Sequence, residues 1–207
     1  MASVVYGITR VFILTVLWPY FRVNVSGGDH LKGEGAVIVA PVHRSNLDSL
    51  ILAGVTRRRL RALAKESLFQ IRPFAWFMAA LGAFPIRRGS ADRESLRAAR
   101  LLLDEGVLLL VFPEGGRQSG DEIGELYDGT AFLASRTAAS VVPVGIAGTE
   151  EAMPQGARFP RPHRVSVVVG APLSPPAQTA KRSILRAWTV DLAASLEDAQ
   201  QAARSGL

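Results

Sequence analysis

The amino-acid sequence predicts one α/β domain with a mixed, largely parallel central sheet covered by helices. Its 207 residues, of which 48% are hydrophobic and 20% charged, are sufficient for one domain with a complete core. Short apolar runs alternate along the chain with helical patterns, which is the order found in βα units. Several of these runs are apolar at every position, as is typical of strands that are buried on both faces.

The predicted strands are the short apolar runs. They comprise AVIVA (36–40), LRALA (60–64), AFPI (83–86), VLLLVF (107–112), SVVPVGI (140–146) and RVSVVVG (164–170). Helices are predicted over 91–106, 128–137 and 181–203. In the last of these, apolar side chains recur at steps of four, which indicates an amphipathic helix. The first helix is expected to be capped by Ser90 or Asp92.

The N-terminal segment differs from the rest of the chain, and we predict a membrane-associating helix over residues 1–22 followed by the domain over 23–207. Arg10 interrupts the apolar stretch and no small-residue cleavage site follows it, which argues against a signal peptide. The apolar run 11–21 is about half as long as the roughly 20 residues that a membrane-spanning helix needs. We therefore expect a helix lying at a membrane interface.

In this interpretation the aromatic side chains Trp18, Tyr20 and Phe21 lie at the depth of the lipid headgroups. The apolar side chains that would enter the membrane are Phe12, Ile13, Leu14, Val16 and Leu17. The alternative is an apolar helix that packs against its own domain. A second uncharged stretch, residues 73–85, predicts a buried helix, with an acyl-chain tunnel or a membrane-facing surface as the alternative.

The composition excludes several classes of site. There is no cysteine, so disulfides, thiolate metal sites and a cysteine nucleophile are impossible. The histidines His30, His43 and His163 are too few and too scattered to suggest a metal site. No Walker A loop, G-x-G-x-x-G, G-x-S-x-G or H-E-x-x-H motif occurs. The net charge of +6 favours an anionic partner, although a high arginine content can also reflect genome composition.

His43 and Asp48 are the candidate catalytic pair, because they follow the AVIVA strand at the end of the sheet where α/β proteins bind ligands. On a regular helix two residues five apart face away from each other, so a tight turn at His43 is required for the pair to meet. Asp48 would then fix the imidazole tautomer and leave the other nitrogen free to accept a proton. The alternative is a loop histidine followed by an ordinary acid at a helix start.

The segment FPEGGRQS, residues 112–119, is the candidate anion-binding loop. Gly115 and Gly116 allow backbone N–H groups to approach an anion, and Arg117 offers two donors to a phosphate. Glu114 could bind a polyol hydroxyl or hold Arg117. The alternative is an ordinary glycine turn at the end of a strand.

Two further strands also end in cations. Arg87 and Arg88 follow AFPI, and Lys65 follows LRALA. With Arg117, these residues bring positive charge from three strand ends towards the His43 and Asp48 pair. The combination predicts a site for a phosphate-bearing ligand.

The four segments together resemble the conserved boxes of the glycerolipid acyltransferases, specifically the bacterial 1-acylglycerol-3-phosphate acyltransferases. HRSNLD matches the first box, H-x-x-x-x-D, and GAFPIRRG matches the second, with Arg88 at the position of its arginine. FPEGGRQS matches the third box, F-P-E-G-T-R-S, and VVPVGI matches the fourth, around Pro143. Lys65 falls where the family carries a lysine. Gly116 replaces the usual threonine and Arg87 replaces a common acid, and both departures concern the acceptor rather than the reaction type.

This resemblance implies an enzyme that transfers an acyl chain to the hydroxyl of lysophosphatidic acid, giving phosphatidic acid. His43 would be the general base and Asp48 its orienting partner. The residues that would bind the phosphate and glycerol of the acceptor are Lys65, Arg88, Glu114, Gly115 and Arg117. Acyl-CoA or acyl carrier protein would supply the acyl chain, and no further cofactor, metal or nucleic acid is expected. The protein would lie on an anionic membrane surface, on the cytoplasmic face.

Three alternatives to this function stay open at the level of sequence. The acceptor could be another lysophospholipid, glycerol 3-phosphate or a glycolipid precursor. The protein could bind lipid without catalysis, although the intact His43 and Asp48 pair argues against this. It could also hydrolyse acyl thioesters, with water replacing the acceptor.

Overall fold

The computed structural model describes residues 2–65, 70, 75–76, 79, 82–86, 92–120 and 122–207. In this part of the chain, a seven-stranded sheet is formed by β1 (Asn24–Ser26), β2 (Val37–Pro41), β3 (Leu60–Lys65), β4 (Ala83–Ile86), β5 (Leu108–Leu110), β6 (Ser140–Ala147) and β7 (Ser166–Val169). The helices are α1 (Ala2–Phe12), α2 (Trp18–Tyr20), α3 (Asp48–Val55), α4 (Asp92–Asp104), α5 (Gly129–Thr137), α6 (Thr149–Ala152) and α7 (Arg182–Ser205). A π-helical turn, Ile13–Leu17, joins α1 to α2, and a 3₁₀ turn covers Gly28–Leu31.

The strand order across the sheet is β1-β7-β6-β2-β5-β3-β4. The strands from β6 to β4 in this order are parallel, whereas β7 is antiparallel to β6 and β1 is parallel to β7. The predicted fold class, a mixed and largely parallel sheet covered by helices, is therefore confirmed. β2 lies at the centre of the sheet, so the loop that carries His43 leaves the middle of its carboxyl edge.

The predicted strands occur, as do the helices predicted over 91–106, 128–137 and 181–203, with small shifts at their ends. The strand predicted over 107–112 is shorter, because the chain leaves β5 after Leu110. β1 was not predicted, since it is short and carries no apolar run. The uncharged stretch 73–85 lies largely outside the described residues, as does Ser90, and the side chain of Asp92 is not described either.

The core occupies both faces of the sheet. Along β2, Val37 and Val39 face one cluster, which includes Ile51 and Leu52 of α3. The alternate residues Ile38 and Ala40 face the other, which α4, α5 and α7 cover with Leu103, Leu133 and Leu192. Because side chains alternate between faces along a strand, a strand that is apolar at every position must be covered on both sides.

The N-terminal segment packs against the domain through one of its faces. Ile13 and Phe21 are fully buried, and the indole of Trp18 lies directly against Gly54 of α3. Arg10 donates hydrogen bonds to the backbone carbonyls of Thr56 (3.0 Å) and Gly54 (3.3 Å). The expectation that Ile13 and Phe21 contact lipid is thus wrong, because both are part of the protein core.

The opposite face of the N-terminal helix is apolar and exposed. Its side chains are Val4, Ile8, Val11, Phe12 and Val16, each about half exposed or more. Within the described residues, no helix is both long and apolar enough to span a membrane. The segment therefore combines the two interpretations of its sequence, with one face in the core and one face open to solvent, and its membrane association stays a prediction.

Gly145 of β6 lets helix α7 approach the sheet closely. A Cβ atom at this position would lie 2.1 Å from the carbonyl oxygen of Ala199 and 2.6 Å from the backbone nitrogen of Gln200. The Gln200 side chain stabilises this contact, because its amide oxygen accepts the N–H of Ile146 (2.8 Å) and its NH₂ group donates to the C=O of Ile146 (3.0 Å).

Gly145→Ala is therefore expected to destabilise the fold, since the added methyl group meets backbone atoms that cannot rotate away. Overpacking of this kind costs about 1–3 kcal/mol in the free energy of unfolding. Chemical denaturation of the variant measures this cost. Gly116→Ala, where a Cβ meets nothing within 4 Å, is the matched control and should change stability by less than about 0.5 kcal/mol.

Candidate active site

The candidate catalytic residues lie at the carboxyl edge of the parallel strands. β2 and β5 are neighbours, so the loop with His43 and the loop with Glu114 and Arg117 leave the sheet side by side. A backbone hydrogen bond from the N–H of Gln118 to the carbonyl of His43 (2.9 Å) joins the two loops directly.

His43 and Asp48 meet in the way that a tight turn was predicted to allow. The Nδ1 atom of His43 lies 2.9 Å from Oδ2 of Asp48. The same oxygen accepts the backbone N–H groups of Arg44 and Ser45, each at 2.8 Å. Asp48 begins α3 and its side chain is fully buried, so these contacts hold the carboxylate against the imidazole.

The imidazole of His43 is fixed from a second side by Phe112. The two rings stack with their centroids 3.8 Å apart and an interplanar angle of 19°. The side chain of His43 keeps 16% of its surface exposed, and its Nε2 atom makes no hydrogen bond within the described residues. With Nδ1–H donating to the carboxylate, Nε2 of the neutral ring carries the lone pair and can accept a proton.

A buried ion pair between Arg44 and Glu114 lies beneath these loops. Nη1 of Arg44 is 2.9 Å from Oε2 and 3.0 Å from Oε1 of Glu114, and both side chains are almost completely buried. The remaining donors of the guanidinium bind the backbone carbonyls of His43, Gly120 and Glu122 at 2.9–3.1 Å. A buried charge is tolerated only when it is paired and hydrogen-bonded, and this guanidinium meets both conditions.

Glu114 is occupied by protein donors on both oxygens. Besides Arg44, Oε2 accepts the backbone N–H of His43 (3.0 Å) and Oε1 accepts that of Gly124 (2.9 Å). The sequence suggested a hydroxyl of the ligand or Arg117 as its partner, and the structure shows Arg44 instead. Binding of the acceptor by Glu114 stays a prediction, and the contacts observed here hold the two loops together.

Arg117 is half-buried, and its side chain makes no hydrogen bond or ion pair within the described part of the chain. Gly115, two residues before it, adopts a φ of 67°, a left-handed conformation that favours glycine. A Cβ at Gly115 would lie 2.8 Å from the ring of Tyr127, which covers this turn. The loop thus presents an unpaired guanidinium beside a closely packed backbone turn.

Of the other predicted cations, the structure describes only the backbone of Lys65. Lys65 is the last residue of β3, which lies one strand beyond β5, and β4 ends at Ile86 on the far side of β3. The side chain of Lys65 and the residues Arg87 and Arg88 lie outside what the structure describes. Among the described residues there is no group of three His, Cys, Asp or Glu side chains that could hold a metal ion.

Sequence reasoning missed Arg44 and Phe112 as parts of this site. Both lie within the quoted boxes, Arg44 directly after His43 and Phe112 two residues before Glu114. An arginine directly after a histidine in a loop carries no sign of burial, because its burial depends on Glu114, which lies 70 positions away along the chain.

Comparison with known proteins agrees with this geometry. A model of the acyltransferase family matches residues 22–147, more than half of the chain, and includes His43, Asp48 and the loop with Glu114. The chain belongs to the acyltransferase family. The resemblance to 1-acylglycerol-3-phosphate acyltransferases predicted from the four boxes is confirmed by this match together with relatives that bear that name.

Proteins named 1-acyl-sn-glycerol-3-phosphate acyltransferase are among the relatives of this acyltransferase-family chain. That of Streptococcus pneumoniae is 30% identical over 69% of this chain and 54% of its own length. The Bacillus subtilis protein is 26% identical and is covered over 73% of each chain. A chloroplastic enzyme of Arabidopsis thaliana is 25% identical over 80% of this chain and 48% of its own. The chain spans about half the length of several of these curated relatives.

A solved structure shares the fold of this family member. The crystal structure of the 1-acyl-sn-glycerophosphate acyltransferase PlsC from Thermotoga maritima superposes with a TM-score of 0.78 at 24% sequence identity. The match covers 95% of this chain and 78% of that one. It includes most of the described helices and strands, and it supports the fold of the chain.

Proposed function

We propose that this protein transfers an acyl chain from an acyl thioester to the free hydroxyl of 1-acylglycerol 3-phosphate, giving phosphatidic acid. The observation that carries the proposal is the 2.9 Å contact between Nδ1 of His43 and Oδ2 of Asp48, which leaves Nε2 free at the edge of the sheet. Relatives that bear the name of this activity supply further support.

In the proposed mechanism His43 is the general base. As the acceptor oxygen attacks the thioester carbonyl, its proton moves to Nε2 and the C–O bond forms. The imidazolium that results is stabilised by the buried carboxylate of Asp48 through Nδ1–H. The tetrahedral intermediate then breaks its C–S bond, and the proton on Nε2 passes to the departing thiolate. No acyl-enzyme is formed, so His43 is neutral again after each turnover.

The acceptor phosphate is proposed to lie between Arg117 and the ends of β3 and β4. Neighbouring strands are about 4.8 Å apart, so Lys65 at the end of β3 starts about 10 Å from the end of β2. That distance suits an acceptor whose hydroxyl meets His43 while its phosphate is held by cations further along the edge. Arg117, Lys65 and Arg88 are the proposed phosphate ligands, with the backbone at Gly115 beside them.

Glu114 is proposed to act mainly as a positioning residue rather than as an acceptor ligand. Its oxygens bind the guanidinium of Arg44 and the backbone N–H groups of His43 and Gly124. It therefore keeps the base and the phosphate-binding loop at a constant separation, which catalysis by proximity requires.

The acceptor is a membrane lipid, so we propose that the protein associates peripherally with the cytoplasmic face of the cell membrane. The exposed apolar face of α1 supports this, because its side chains can enter the headgroup region while the buried face stays on the domain. The acyl donor would be acyl-CoA or acyl carrier protein, both of which carry the chain as a thioester.

The acyltransferase proposal is tested by release of free coenzyme A from acyl-CoA with and without lysophosphatidic acid, with the product identified by mass. Release that depends on the acceptor supports transfer. Equal release in both reactions indicates a thioesterase, and no release with either indicates a lipid-binding protein. Glycerol 3-phosphate and lysophospholipids with headgroups complete the panel, since the substitutions at Gly116 and Arg87 concern the acceptor.

Arg117 gives the phosphate assignment its sharpest test. Arg117→Ala is expected to lower kcat/KM for lysophosphatidic acid by about ten- to a hundred-fold, since a charge-assisted hydrogen bond contributes about 1.5–3 kcal/mol. Arg117→Lys should also be impaired, because an ammonium cannot reproduce the planar pair of donors. The KM for acyl-CoA should stay unchanged in both variants.

Arg88→Ala is expected to behave like Arg117→Ala, and Arg87→Ala is the internal control with a milder effect. A larger loss in Arg87→Ala than in Arg88→Ala would mean that Arg87, and not Arg88, is the phosphate-binding arginine of the second box. Unchanged acceptor kinetics in both Arg88→Ala and Arg117→Ala would contradict phosphate binding at this edge.

A further inference from the structure

The loop between α6 and β7, residues 153–164, has an unusual surface that the proposed chemistry does not use. It contains no Asp or Glu, and it carries the exposed arginines Arg158, Arg161 and Arg164. Within the described residues these three guanidinium groups make no hydrogen bond or ion pair. Between the first two, Phe159 is 81% exposed, more than any other large apolar side chain that the structure describes. We call residues 153–164 the basic loop.

Backbone hydrogen bonds hold the loop in the conformation that exposes Phe159. The N–H of Arg161 donates to the carbonyl of Ala152 (2.7 Å), and that of Ala157 to the carbonyl of Pro154 (3.0 Å). Pro154, Pro160 and Pro162 fix φ at three further positions of the loop. The loop therefore presents an aromatic ring to solvent between positive charges in a constant arrangement.

The basic loop lies at the same edge of the sheet as His43. β6 is parallel to β2, so the chain leaves β6 at the carboxyl edge of β2, and β7 returns from that edge because it is antiparallel to β6. The hydroxyl of Ser45, two residues after His43, donates to the carbonyl of Met153 at the start of the loop (2.9 Å).

The basic loop also adjoins the N-terminal segment. The N–H of Val165, directly after the loop, donates to the carbonyl of Phe21 (3.0 Å), and its carbonyl accepts the N–H of Asn24 (2.9 Å). The hydroxyl of Tyr20 contacts the carbonyl of Pro160 at 3.4 Å. The loop is thus continuous with the helical segment whose outer face is apolar.

We propose that the basic loop is a second membrane-contact element, in which Phe159 enters the headgroup region of an anionic bilayer and Arg158 and Arg161 bind lipid phosphates. Exposed cations next to an aromatic side chain favour such a surface, since each arginine near an anionic leaflet and each inserted ring adds to binding. An acidic protein would satisfy the arginines but would leave the apolar ring and the neighbouring apolar helix face uncovered. Contact at this edge turns His43 towards the bilayer that carries the acceptor.

The direct test is binding of the full chain to vesicles, measured by flotation without substrate. Phosphatidylcholine vesicles with and without phosphatidylglycerol separate the contribution of the arginine charges from that of the inserted Phe159 ring. Arg158→Gln combined with Arg161→Gln is expected to weaken binding to the anionic vesicles about twenty-five-fold, at about five-fold for each arginine. Phe159→Ala is expected to weaken binding to both kinds of vesicle about ten-fold.

Matched controls come from α7, which packs on β6 and β7. Arg182→Gln combined with Arg186→Gln removes the same charge from exposed positions, and Val190→Ala removes an exposed apolar side chain. Neither should weaken binding more than about two-fold. A tryptophan introduced by Phe159→Trp should shift its emission to the blue on vesicles and be quenched by brominated acyl chains, relative to the unsubstituted protein.

Wild-type vesicle binding by both loop variants, or an unquenched tryptophan at position 159, would overturn the proposal. Unchanged vesicle binding with a raised KM for acyl carrier protein in the arginine variant would also overturn it and assign the loop to a protein partner. The inference draws on the proposed function only for the position of the acceptor in a bilayer. A protein that binds vesicles through this loop but does not acylate lysophosphatidic acid would refute that function alone.

Discussion

Replacing His43 with alanine is expected to lower the rate of acyl transfer by about 10²–10⁴-fold, the usual contribution of a general base. The fold should persist, because the imidazole lies at the edge of the sheet and the N–H groups of Arg44 and Ser45 still bind the carboxylate of Asp48. Single-turnover transfer to a short, soluble acceptor measures the rate, and a thermal melt of the same sample measures the fold.

Asp48→Asn is the companion variant. Its side chain has the same shape, and its amide oxygen can still accept the N–H groups of Arg44 and Ser45, but it carries no negative charge to stabilise the imidazolium that forms on His43 during transfer. The rate should fall by a large factor, with a smaller change in stability. His30→Ala is the control, since the ring nitrogen of His30 contacts the carbonyl of Val169 (3.1 Å), which lies at the end of β7 that points away from the edge of the sheet with His43. A folded His43→Ala protein that keeps more than about a tenth of the rate would show that the base lies elsewhere.

Arg44→Ala is expected to cause the largest loss of stability, about 3–5 kcal/mol, because it leaves the buried carboxylate of Glu114 without its charged partner. At about 2–4 °C for each kcal/mol in a chain of this size, the melting temperature should fall by roughly 10 °C. Chemical denaturation with a matched thermal melt measures both quantities.

A double variant of Arg44 and Glu114 tests whether the pair positions His43 in addition to stabilising the fold. Arg44→Met combined with Glu114→Leu removes both charges, so stability should recover relative to either single variant. The rate of transfer should stay low, because the backbone N–H of His43 and the carbonyls of Gly120 and Glu122 lose their partners. Recovery of the rate together with stability would mean that the pair only supports the fold.

The exposed pair of Arg100 and Asp104 is the control for these variants. Its charged atoms are 3.7 Å apart and about half of each side chain is in solvent. Arg100→Ala should change stability by less than about 1 kcal/mol, as expected for a surface ion pair. If Arg100→Ala lost as much stability as Arg44→Ala, burial could not be the reason for the large loss in Arg44→Ala.

The fold class could be predicted from the sequence because the strongest signals are local. β2 and β6 are apolar at nearly every position, and burial on both faces of a sheet follows from that pattern alone. α7 was recognisable from apolar residues at steps of four. β1 was not, since three residues at the edge of a sheet need little apolar surface and take their hydrogen bonds from β7.

The N-terminal segment shows where composition stops being informative. Its apolar residues suit a membrane surface and a protein core equally well, so the sequence left both alternatives open. In the structure, one face of the segment is buried and the other is exposed. Ile13 and Phe21 lie in the core, whereas Phe12 and Val16 are exposed. That division depends on the position of α3 and its Gly54, which is set by the packing of the whole domain.

The sequence by itself determined the family and indicated the candidate catalytic pair and the candidate phosphate ligands, because each of these lies in a short box whose residue types suit the chemistry. Only the tertiary structure decided what Glu114 contacts. The choice between Arg44, Arg117 and a ligand depends on which side chains are buried together between two parallel strands. Burial makes an unpaired charge costly, and that cost selects a partner 70 positions away, which no local pattern could reveal.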